Sequence, residues 1–450
     1  MSCDGGNATP PSPGVGPGRE LLDPAAYAAA LGRRPEGPID PRIRALVPAF
    51  DAPFFQAGLA GYSDAAMRII ARRHGCPFCV TEALLDRTLL AGGRGFVKAD
   101  LGELHDNVPG GEEDHPLAGQ IMGSDPREMA ASAVKMIEQG RRTDKEYRLM
   151  AYEVQGVLPS THASARQHLR LPGGQQVGFW PPESDLKHGI TEPRLEPRVV
   201  GDPDQTSFEV IDVNLACPVK KIEKKARGGH WLAEPEGAIA ILKAVREALP
   251  SRVVCTVKLR RSFDDTPEMA ANFDRILSAT ADLGYAWATV HGRTVEQKYI
   301  GPSRWDILRD IVARHPKMIV FGSGDIWQAS DIFAMLEYTG VSAVSVARGC
   351  IGNPWIFRQA RAMLRGEPPS PPSLAEQRGV LEEHFRLLMA VCREMRHGEE
   401  QAGKLIRKFG IRFAEHHPRG EAVRLEMIRV KGLADWRAVL ERWYGEAAAE

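Results

Sequence analysis

From about Ala49 onward, short runs rich in β-branched residues alternate with segments whose apolar residues recur at helical spacing. This regular alternation predicts strands that are each followed by a helix. The predicted strands are Pro53–Ala57, Phe78–Thr81, Leu117–Met122, Phe208–Val213, Val253–Leu259, Ala286–His291, Met318–Gly322 and Ser342–Ala347. The predicted helices between them include Asp64–His74, Pro126–Gln139, Pro235–Leu249, Pro267–Leu283 and Gln328–Tyr338.

Strict alternation of this kind favours an α/β fold in which a parallel sheet closes into a (β/α)8 TIM barrel. An open doubly wound sheet fits the same pattern and stays an alternative. After Pro372 the strand signal ends, and three segments, Leu374–Arg396, Glu400–His416 and Gly420–Tyr444, have the pattern of amphipathic helices. We therefore predict a smaller, all-α domain at the C-terminal end of the chain.

The composition of the chain suggests where these units begin and end. Residues 1–45 form a Gly/Pro-rich segment that we expect to be a disordered tail, followed by the barrel over 46–365 and the helical domain over 366–450. Within the barrel, residues 141–207 are polar and rich in proline and glycine, which predicts an insertion. A loop of this length in a compact domain is either functional or disordered.

The overall composition excludes several classes of protein. The 43% hydrophobic and 26% charged residues are those of an ordinary soluble domain, and no run approaches the roughly 18 apolar residues of a membrane helix. The N-terminus lacks the layout of a secretory signal, and seven cysteines suit reduced thiols, so we expect a cytoplasmic protein. Because the formal net charge is zero, contact with nucleic acid would depend on local clusters of charge.

Polar residues lie at or just after the ends of five of the predicted strands, at the barrel face where such enzymes have their active sites. They are Asn214 and Cys217, Lys258 and Arg260, His291 and Arg293, Ser323–Asp325, and Ala347–Arg348. The last two groups lie in glycine-containing loops after the seventh and eighth strands, where barrels commonly bind phosphate. The pattern therefore predicts a phosphorylated cofactor.

Two basic clusters are candidates for binding nucleic acid. The first, which includes Lys220 and Lys221, runs to Arg227 directly after Cys217, and such charges neutralise phosphates. The second, in the helical domain, contains Lys404, Arg407, Lys408 and Arg412. Either cluster is equally explained as solvated surface. The pair Cys76 and Cys79 lacks a second pair at zinc-ligand spacing, so we predict no metal site.

Seven motifs, taken together in this order, resemble the tRNA-dihydrouridine synthase family. They are Ala57–Asp64, Gln120–Pro126, Asp212–Pro218, Val257–Arg260, His291–Thr294 followed by Tyr299, Gly322–Ile326, and Ala347–Phe357.

The resemblance implies a barrel with FMN at its mouth and NADPH as the usual reductant. It implies flavin contacts from Gly58, Leu59, Ala60, Gln120, Lys258 and His291, and phosphate contacts from Ser323, Gly324, Asp325, Ala347 and Arg348. The implied reaction saturates the C5–C6 bond of uridine in tRNA. In it, hydride goes from reduced FMN to C6 and Cys217 gives a proton to C5.

For the substrate, the resemblance implies that Asn214 orients the base and that the helical domain grips tRNA. We accordingly expect RNA contacts from Lys220, Lys221, Arg260, Arg293, Lys404, Arg407, Lys408 and Arg412. Members of the family generally work alone, so we expect a monomer.

The sequence departs from the family pattern in three places. Gly58 and Leu59 stand where Pro-Met is common, Ser323 where Asn is common, and Ala216 where Gly is usual. These differences suggest a divergent branch and leave ribosomal RNA open as the substrate. Two alternatives stay open. One is a flavin-dependent reductase of a free small molecule, like the dihydroorotate or dihydropyrimidine dehydrogenases, which would share the barrel and cofactor but have no use for the basic C-terminal helices. The other is a non-catalytic RNA-binding barrel, against which Cys217, Lys258, His291 and Arg348 argue.

Overall fold

The computed structural model of the chain describes residues 23–91, 110–138, 146–147, 150, 206–218, 228–392 and 397–445. The predicted insertion, the basic run from Lys220 to Arg227 and the first 22 residues lie wholly or almost wholly outside this part. The described strands are β1 Phe54–Gln56, β2 Cys79–Val80, β3 Leu84–Leu85, β4 Leu117–Met122, β5 Val210–Leu215, β6 Val254–Arg260, β7 Trp287–His291, β8 Val320–Ser323 and β9 Ala343–Val346.

The strands close into a parallel barrel. Strand β1 pairs with both β2 and β9, and β2 pairs with β4, so the sheet has no free edge at this point. Strand β3 adds a short second pairing to β4, because the chain between Val80 and Leu84 leaves the sheet and returns to it. The predicted TIM barrel is therefore confirmed, and the open-sheet alternative is excluded.

Helices surround the barrel in the alternating order that the sequence predicts. They are α3 Ala65–Arg73, α4 Asp86–Ala91, α5 Pro126–Ile137, α6 Pro235–Ala248, α7 Pro267–Asp282, α8 Trp305–Arg314, α9 Ala329–Thr339 and α10 Trp355–Leu364. Several begin at a proline directly after a capping residue. Thr266 and Asp125, for example, accept hydrogen bonds from backbone N–H groups of the first turns of α7 and α5.

The N-terminal segment differs from the expected disordered tail. Helices α1 Pro24–Gly32 and α2 Pro41–Leu46 lie within or across residues 1–45, and each has an aspartate cap followed by proline. These two Asp-Pro pairs are helix-start signals that the Gly/Pro-rich composition obscured. Ile43 in α2 and Phe50 behind it are fully buried, and the Phe50 ring stacks on Phe78 with centroids 4.8 Å apart. The segment thus closes the bottom of the barrel.

The C-terminal domain is helical, as expected, with one difference. Its helices are α11 Leu374–Val391, α12 Gly398–Phe413, α13 Gly420–Met427 and α14 Leu433–Tyr444. The single helix predicted over Gly420–Tyr444 is broken between Met427 and Leu433, and Asp435 in the first turn of the second helix accepts the Lys431 N–H at 2.9 Å. Among the described helices, none is long and apolar enough to cross a membrane.

The helical domain packs directly on the barrel. Helix α11 lies against α3, and the Trp355 ring of α10 meets the Phe413 ring of α12 with centroids 5.4 Å apart. Gly352, at φ 65°, approaches α12 so closely that an added Cβ would lie 2.5 Å from the Cβ of Arg412. No larger residue fits between the two units at this position.

Candidate active site

The polar floor of the barrel mouth is set by strand register. Asp212 on β5 pairs with Thr256 on β6, and two residues later Asn214 pairs with Lys258. Because side chains alternate along a strand, all four point to the same face of the sheet. The observed β5, which ends at Leu215 instead of the predicted Val213, is what places Asn214 inside this ladder.

A continuous hydrogen-bond network joins these residues. The buried Asp212 carboxylate accepts from Gln120 Nε2 at 2.6 Å and from Thr256 Oγ1 at 2.7 Å. Asn214 Nδ2 donates to Gln120 Oε1 at 2.8 Å, and Asn214 Oδ1 accepts the Ala216 N–H at 3.0 Å. Each amide therefore has a fixed orientation.

Two titratable groups of this floor have shifted pKa values. Burial raises the pKa of Asp212, opposed by its bonds to Thr256 and Gln120. Desolvation, followed by repulsion from Arg260, lowers the pKa of Lys258 to about 8, while Asp212 and Cys217 act in the opposite direction. Asp212 and Cys217 thus oppose the loss of the ammonium charge of Lys258.

His291, at the end of β7, is held neutral. Its Nδ1 accepts the backbone N–H of Arg293 at 3.1 Å, which leaves the ring proton on Nε2. Desolvation, followed by the charges of Arg260 and Lys258, holds the pKa of His291 well below its usual value. The ring therefore offers a hydrogen-bond donor to the mouth.

Cys217 lies two residues beyond β5 and is partly exposed. Its charge influences the pKa values of Lys258 and Arg260, which places it beside both cations. The chain returns at Gly228 and Gly229, and the Gly229 N–H donates to the Cys217 carbonyl at 3.0 Å. A Cβ on Gly228 would lie 2.9 Å from that of Cys217, so only a glycine backbone fits this close to the Cys217 side chain. Lys220 and Lys221 are outside the described residues.

The loop after β8 is locked by a buried ion pair. Asp325, at φ 57°, accepts two bonds from Arg293 at 2.7 and 2.8 Å and the Ser303 N–H at 2.7 Å. Gly324, at φ 121°, lies against Ser303, whose Oγ would be 2.3 Å from an added Cβ. Ser323 is buried at the end of β8.

The surroundings of Arg293 and Asp325 do not fit the roles predicted for their side chains, which were an RNA contact for Arg293 and a cofactor contact for Asp325. The Arg293 side chain is 1% exposed and occupied by Asp325 and the Gly301 carbonyl, so it cannot reach an RNA backbone. The Asp325 carboxylate is equally enclosed, which leaves its backbone to face a ligand. Both side chains fix the shape of the phosphate loop.

Arg348 follows β9. Unlike Arg293, it reaches solvent. Its side chain is 40% exposed and its guanidinium lies over the rings of Trp327 and Tyr299, at 4.8 and 5.4 Å from the centroids. The neighbouring Ala347 is partly exposed, and Gly349 lies against the Ile326 carbonyl, 2.2 Å from where a Cβ would stand. The arrangement presents one guanidinium and backbone groups to an anion.

Arg260 is also buried, which does not fit the RNA contact predicted for it. Its Nε donates to the Ala216 carbonyl at 3.0 Å, and its Nη1 to the carbonyls of Thr294 and Lys298 at 2.7 and 2.6 Å. Desolvation lowers the pKa of Arg260 to about 10. This side chain braces the loops after β5 and β7 and adds positive charge beside Cys217.

The loop after β1 borders the same mouth. Gly58 lines the cavity that Gln120, Asp212 and Lys258 also line, and a Cβ there would lie 2.2 Å from the Thr81 carbonyl. Leu59 is partly exposed and Ala60 exposed. Of the three predicted flavin contacts of this loop, Gly58 therefore lines that cavity, and Leu59 and Ala60 follow it toward solvent.

The four basic residues of α12 have different surroundings. Lys404 pairs with Glu400 at 2.7 Å and Arg412 with Glu415 at 2.8 Å, both at partly exposed positions. Lys408 donates to the Gly61 carbonyl at 2.6 Å, so it faces the barrel instead of solvent. Within the described part of the chain, Arg407 has no carboxylate partner.

Sequence reasoning missed Asp212 and Thr256 as members of the site. The signal was present, because Asp212 and Asn214 are two apart on one strand and therefore share a face. The pair Cys76 and Cys79 is buried with sulfur atoms 3.9 Å apart. Among the described residues, no group of three or more potential metal ligands lies together.

A closed α/β barrel with a thiol, ordered amides and clustered cations at the carboxyl ends of its strands has the layout of a barrel enzyme that binds an anionic ligand. Residues 202–438, more than half of the 450-residue chain, match the family model described as dihydrouridine synthase (Dus). The chain belongs to the dihydrouridine synthase family.

Curated relatives carry names of the same family. A probable tRNA-dihydrouridine synthase of Mycobacterium leprae is 31% identical over 54% of this chain and 62% of its own length. One of Treponema pallidum is 34% identical over 53% of this chain and 69% of its own length. The tRNA-dihydrouridine synthase B of Escherichia coli is 27% identical over 67% of this chain and 92% of its own length. The chain thus spans about 60% of the length of the first relatives that it matches.

The pKa of Lys258 provides a test of the network. In Asp212→Asn, we expect it to fall below about 8, because the carboxylate that raises it is removed while desolvation and Arg260 still lower it. Titration followed by NMR of 13Cε-labelled lysine measures the shift. Asp310→Asn, which alters an exposed pair with Arg309 on α8, is the control and should have no effect. An unchanged Lys258 pKa in Asp212→Asn would contradict the network.

Proposed function

We propose that this protein reduces the C5–C6 bond of uridine in tRNA to give 5,6-dihydrouridine, with FMN as cofactor and NADPH as reductant. The observation that carries the proposal is the surroundings of Cys217 after β5. The carbonyl of the preceding residue, Ala216, accepts Arg260 Nε at 3.0 Å, and the Cys217 thiolate would raise the pKa values of Lys258 and Arg260. Family membership and the names of the relatives supply the substrate class.

The mouth fits a phosphorylated flavin by the chemistry of its donors. Gln120, Lys258 and the Nε2–H of His291 suit the carbonyl and nitrogen acceptors of an isoalloxazine ring. Arg348, with the backbone of Ser323–Asp325 and Ala347, suits its phosphate. Arg293 Nη1 adds support, because it is a buried guanidinium nitrogen that has no hydrogen-bond partner among the described residues. Gly58–Ala60 would cover the ring from the side of β1.

A reduced FMN held by these residues would supply the hydride for uracil C6, with NADPH as its reductant. Cys217 then acts as general acid, and its thiol proton goes to C5. The resulting thiolate is stabilised by the charges of Lys258 and Arg260, and a proton from solvent restores the thiol. The net change is one hydride and one proton added to uridine.

We propose that Asn214 orients the base. Its amide is fixed by bonds to Gln120 and Ala216, which leave one N–H and one oxygen lone pair for a ligand. Such a donor–acceptor pair matches the alternating carbonyl and N–H groups of a uracil edge. A uridine in folded RNA must be turned out of its stack to reach this position.

We propose that the helical domain binds tRNA. RNA is recognised largely through shape and backbone charge, and α12 presents Lys404, Arg407 and Arg412 at partly exposed positions. A reductase of a free small molecule would have no use for this cationic helix packed beside the barrel. The run from Lys220 to Arg227 follows Cys217 in sequence, and we propose phosphate contacts from it.

The acid role of Cys217 predicts a specific loss. In Cys217→Ala, we expect unchanged FMN content and NADPH oxidation but a loss of uridine reduction of about 10²–10⁴-fold, the usual contribution of a general acid. Mass spectrometry of tRNA after single-turnover incubation measures the product, and absorbance measures the flavin. Cys255→Ala, which removes a buried thiol of the neighbouring strand, is the control. Wild-type turnover in Cys217→Ala would refute this role.

The role of α12 predicts a change in salt dependence. In Arg407→Gln, we expect weaker tRNA binding and a salt slope reduced by about 1, because one phosphate contact is lost. Flavin content should not change. Lys243→Gln, on the outer helix α6, is the control, since it removes an exposed cation that pairs only with Glu247 among the described residues. Unchanged affinity and slope in Arg407→Gln would argue against the grip.

A further inference from the structure

One basic residue of α12 is directed into the protein. Lys408 Nζ donates to the Gly61 carbonyl at 2.6 Å and lies 5.6 Å from the ring centroid of Tyr62. The next residue on the helix, Phe409, meets the same ring edge-on with centroids 5.8 Å apart. Two consecutive side chains of the helical domain therefore contact the loop after β1.

That loop is a tight turn held by its own hydrogen bonds. The N–H groups of Tyr62 and Ser63 both donate to the Leu59 carbonyl, and Ser63 Oγ accepts the Leu59 N–H at 2.9 Å. Gly61, at φ 72°, turns the chain at the tip, which directs its carbonyl outward to Lys408. The ammonium thus holds the tip from outside the barrel.

The position of this loop affects the mouth. Gly58, at its first residue, lines the cavity with Gln120 and Lys258. Leu59 and Ala60 follow at the rim. A shift of the tip at Gly61 would move all three, since the turn is bonded back onto Leu59.

The surroundings of Lys408 show that its charge is used internally. The buried carboxylate of Asp64 caps α3 by accepting the Met67 N–H at 2.8 Å, and burial raises the pKa of Asp64 to about 6 against the opposing charge of Lys408. Arg68 Nη1 donates to the Ser63 carbonyl at 2.7 Å on the other side of the turn. Lys408 thus offsets the charge of the buried Asp64 carboxylate. To meet an RNA phosphate, it would have to leave both this carboxylate and the Gly61 carbonyl.

We propose that Lys408 is a positioning residue that holds the loop over residues 58–63 at the flavin site and so links the helical domain to the barrel mouth. This replaces the RNA contact that the sequence predicted for Lys408. The inference rests on the proposed function, because it assigns this loop to flavin binding.

Lys404 provides a matched control. It lies one turn earlier on the same helix, is half exposed and pairs with Glu400 at 2.7 Å. Lys404→Met and Lys408→Met remove the same charge from α12, but only the second removes a contact with the loop.

The test measures FMN affinity of the apoprotein by quenching of flavin fluorescence, together with tRNA binding over a range of salt concentrations. For Lys408→Met we expect the FMN dissociation constant to rise about tenfold, since a charge-assisted hydrogen bond is lost, with the tRNA salt slope unchanged. Lys404→Met should leave FMN affinity at the wild-type value. Lys408→Arg, which keeps the charge and a donor, should restore most of the affinity.

Two results would overturn the inference. One is an FMN dissociation constant in Lys408→Met equal to that of Lys404→Met, and the other is a salt slope that falls by about 1 while FMN affinity stays unchanged. If the methionine variant does not fold, as judged by the melting temperature of the apoprotein, Lys408→Gln takes its place with the same expected rise. A wild-type protein that binds no FMN would instead refute the proposed function.

Discussion

The polar mouth of the barrel depends on the buried carboxylate of Asp212. It accepts hydrogen bonds from Gln120 and Thr256, and through Gln120 it fixes the amide of Asn214. It also supports the charge of Lys258, whose pKa burial would otherwise lower further. Below this layer the barrel is filled by aromatic side chains, among them Trp287 and Phe321, whose rings stack with centroids 5.0 Å apart. Polar chemistry is therefore concentrated at the carboxyl ends of the strands, and parallel register makes one carboxylate serve several neighbours.

The fold and most of the site could be predicted because both follow from local patterns. Alternating strands and helices indicate the barrel, and residues at strand ends must then converge, as Cys217, Lys258 and His291 do. Which group each basic side chain binds could not be predicted, because these bonds join residues that are far apart in sequence. Arg293 pairs with Asp325, 32 residues away, and Lys408 with Gly61, 347 away. In both cases the sequence suggested a basic side chain that contacts RNA, whereas the side chain is bonded to a partner inside the protein. The helices of the N-terminal segment were missed because composition outweighed two capping signals.

The barrel and the helical domain form one continuous structure. Gly352 allows α12 to approach α10, where Trp355 packs against Phe413, and on the other side Phe409 packs on the loop after β1. The helix that carries Arg407 towards solvent therefore also contacts the rim of the mouth. A substrate held by α12 would thus be held at a fixed position relative to Cys217, which is what reaction at a chosen nucleotide requires.

The central claim is that this chain reduces uridine in tRNA. The most direct measurement is mass-spectrometric mapping of tRNA and ribosomal RNA from a bacterial host whose own dihydrouridine synthase genes are deleted, with and without this protein expressed. We expect dihydrouridine to appear in tRNA at one or a few defined positions only when the protein is present. Dihydrouridine in ribosomal RNA alone, or none in any RNA despite folded protein with bound flavin, would contradict it.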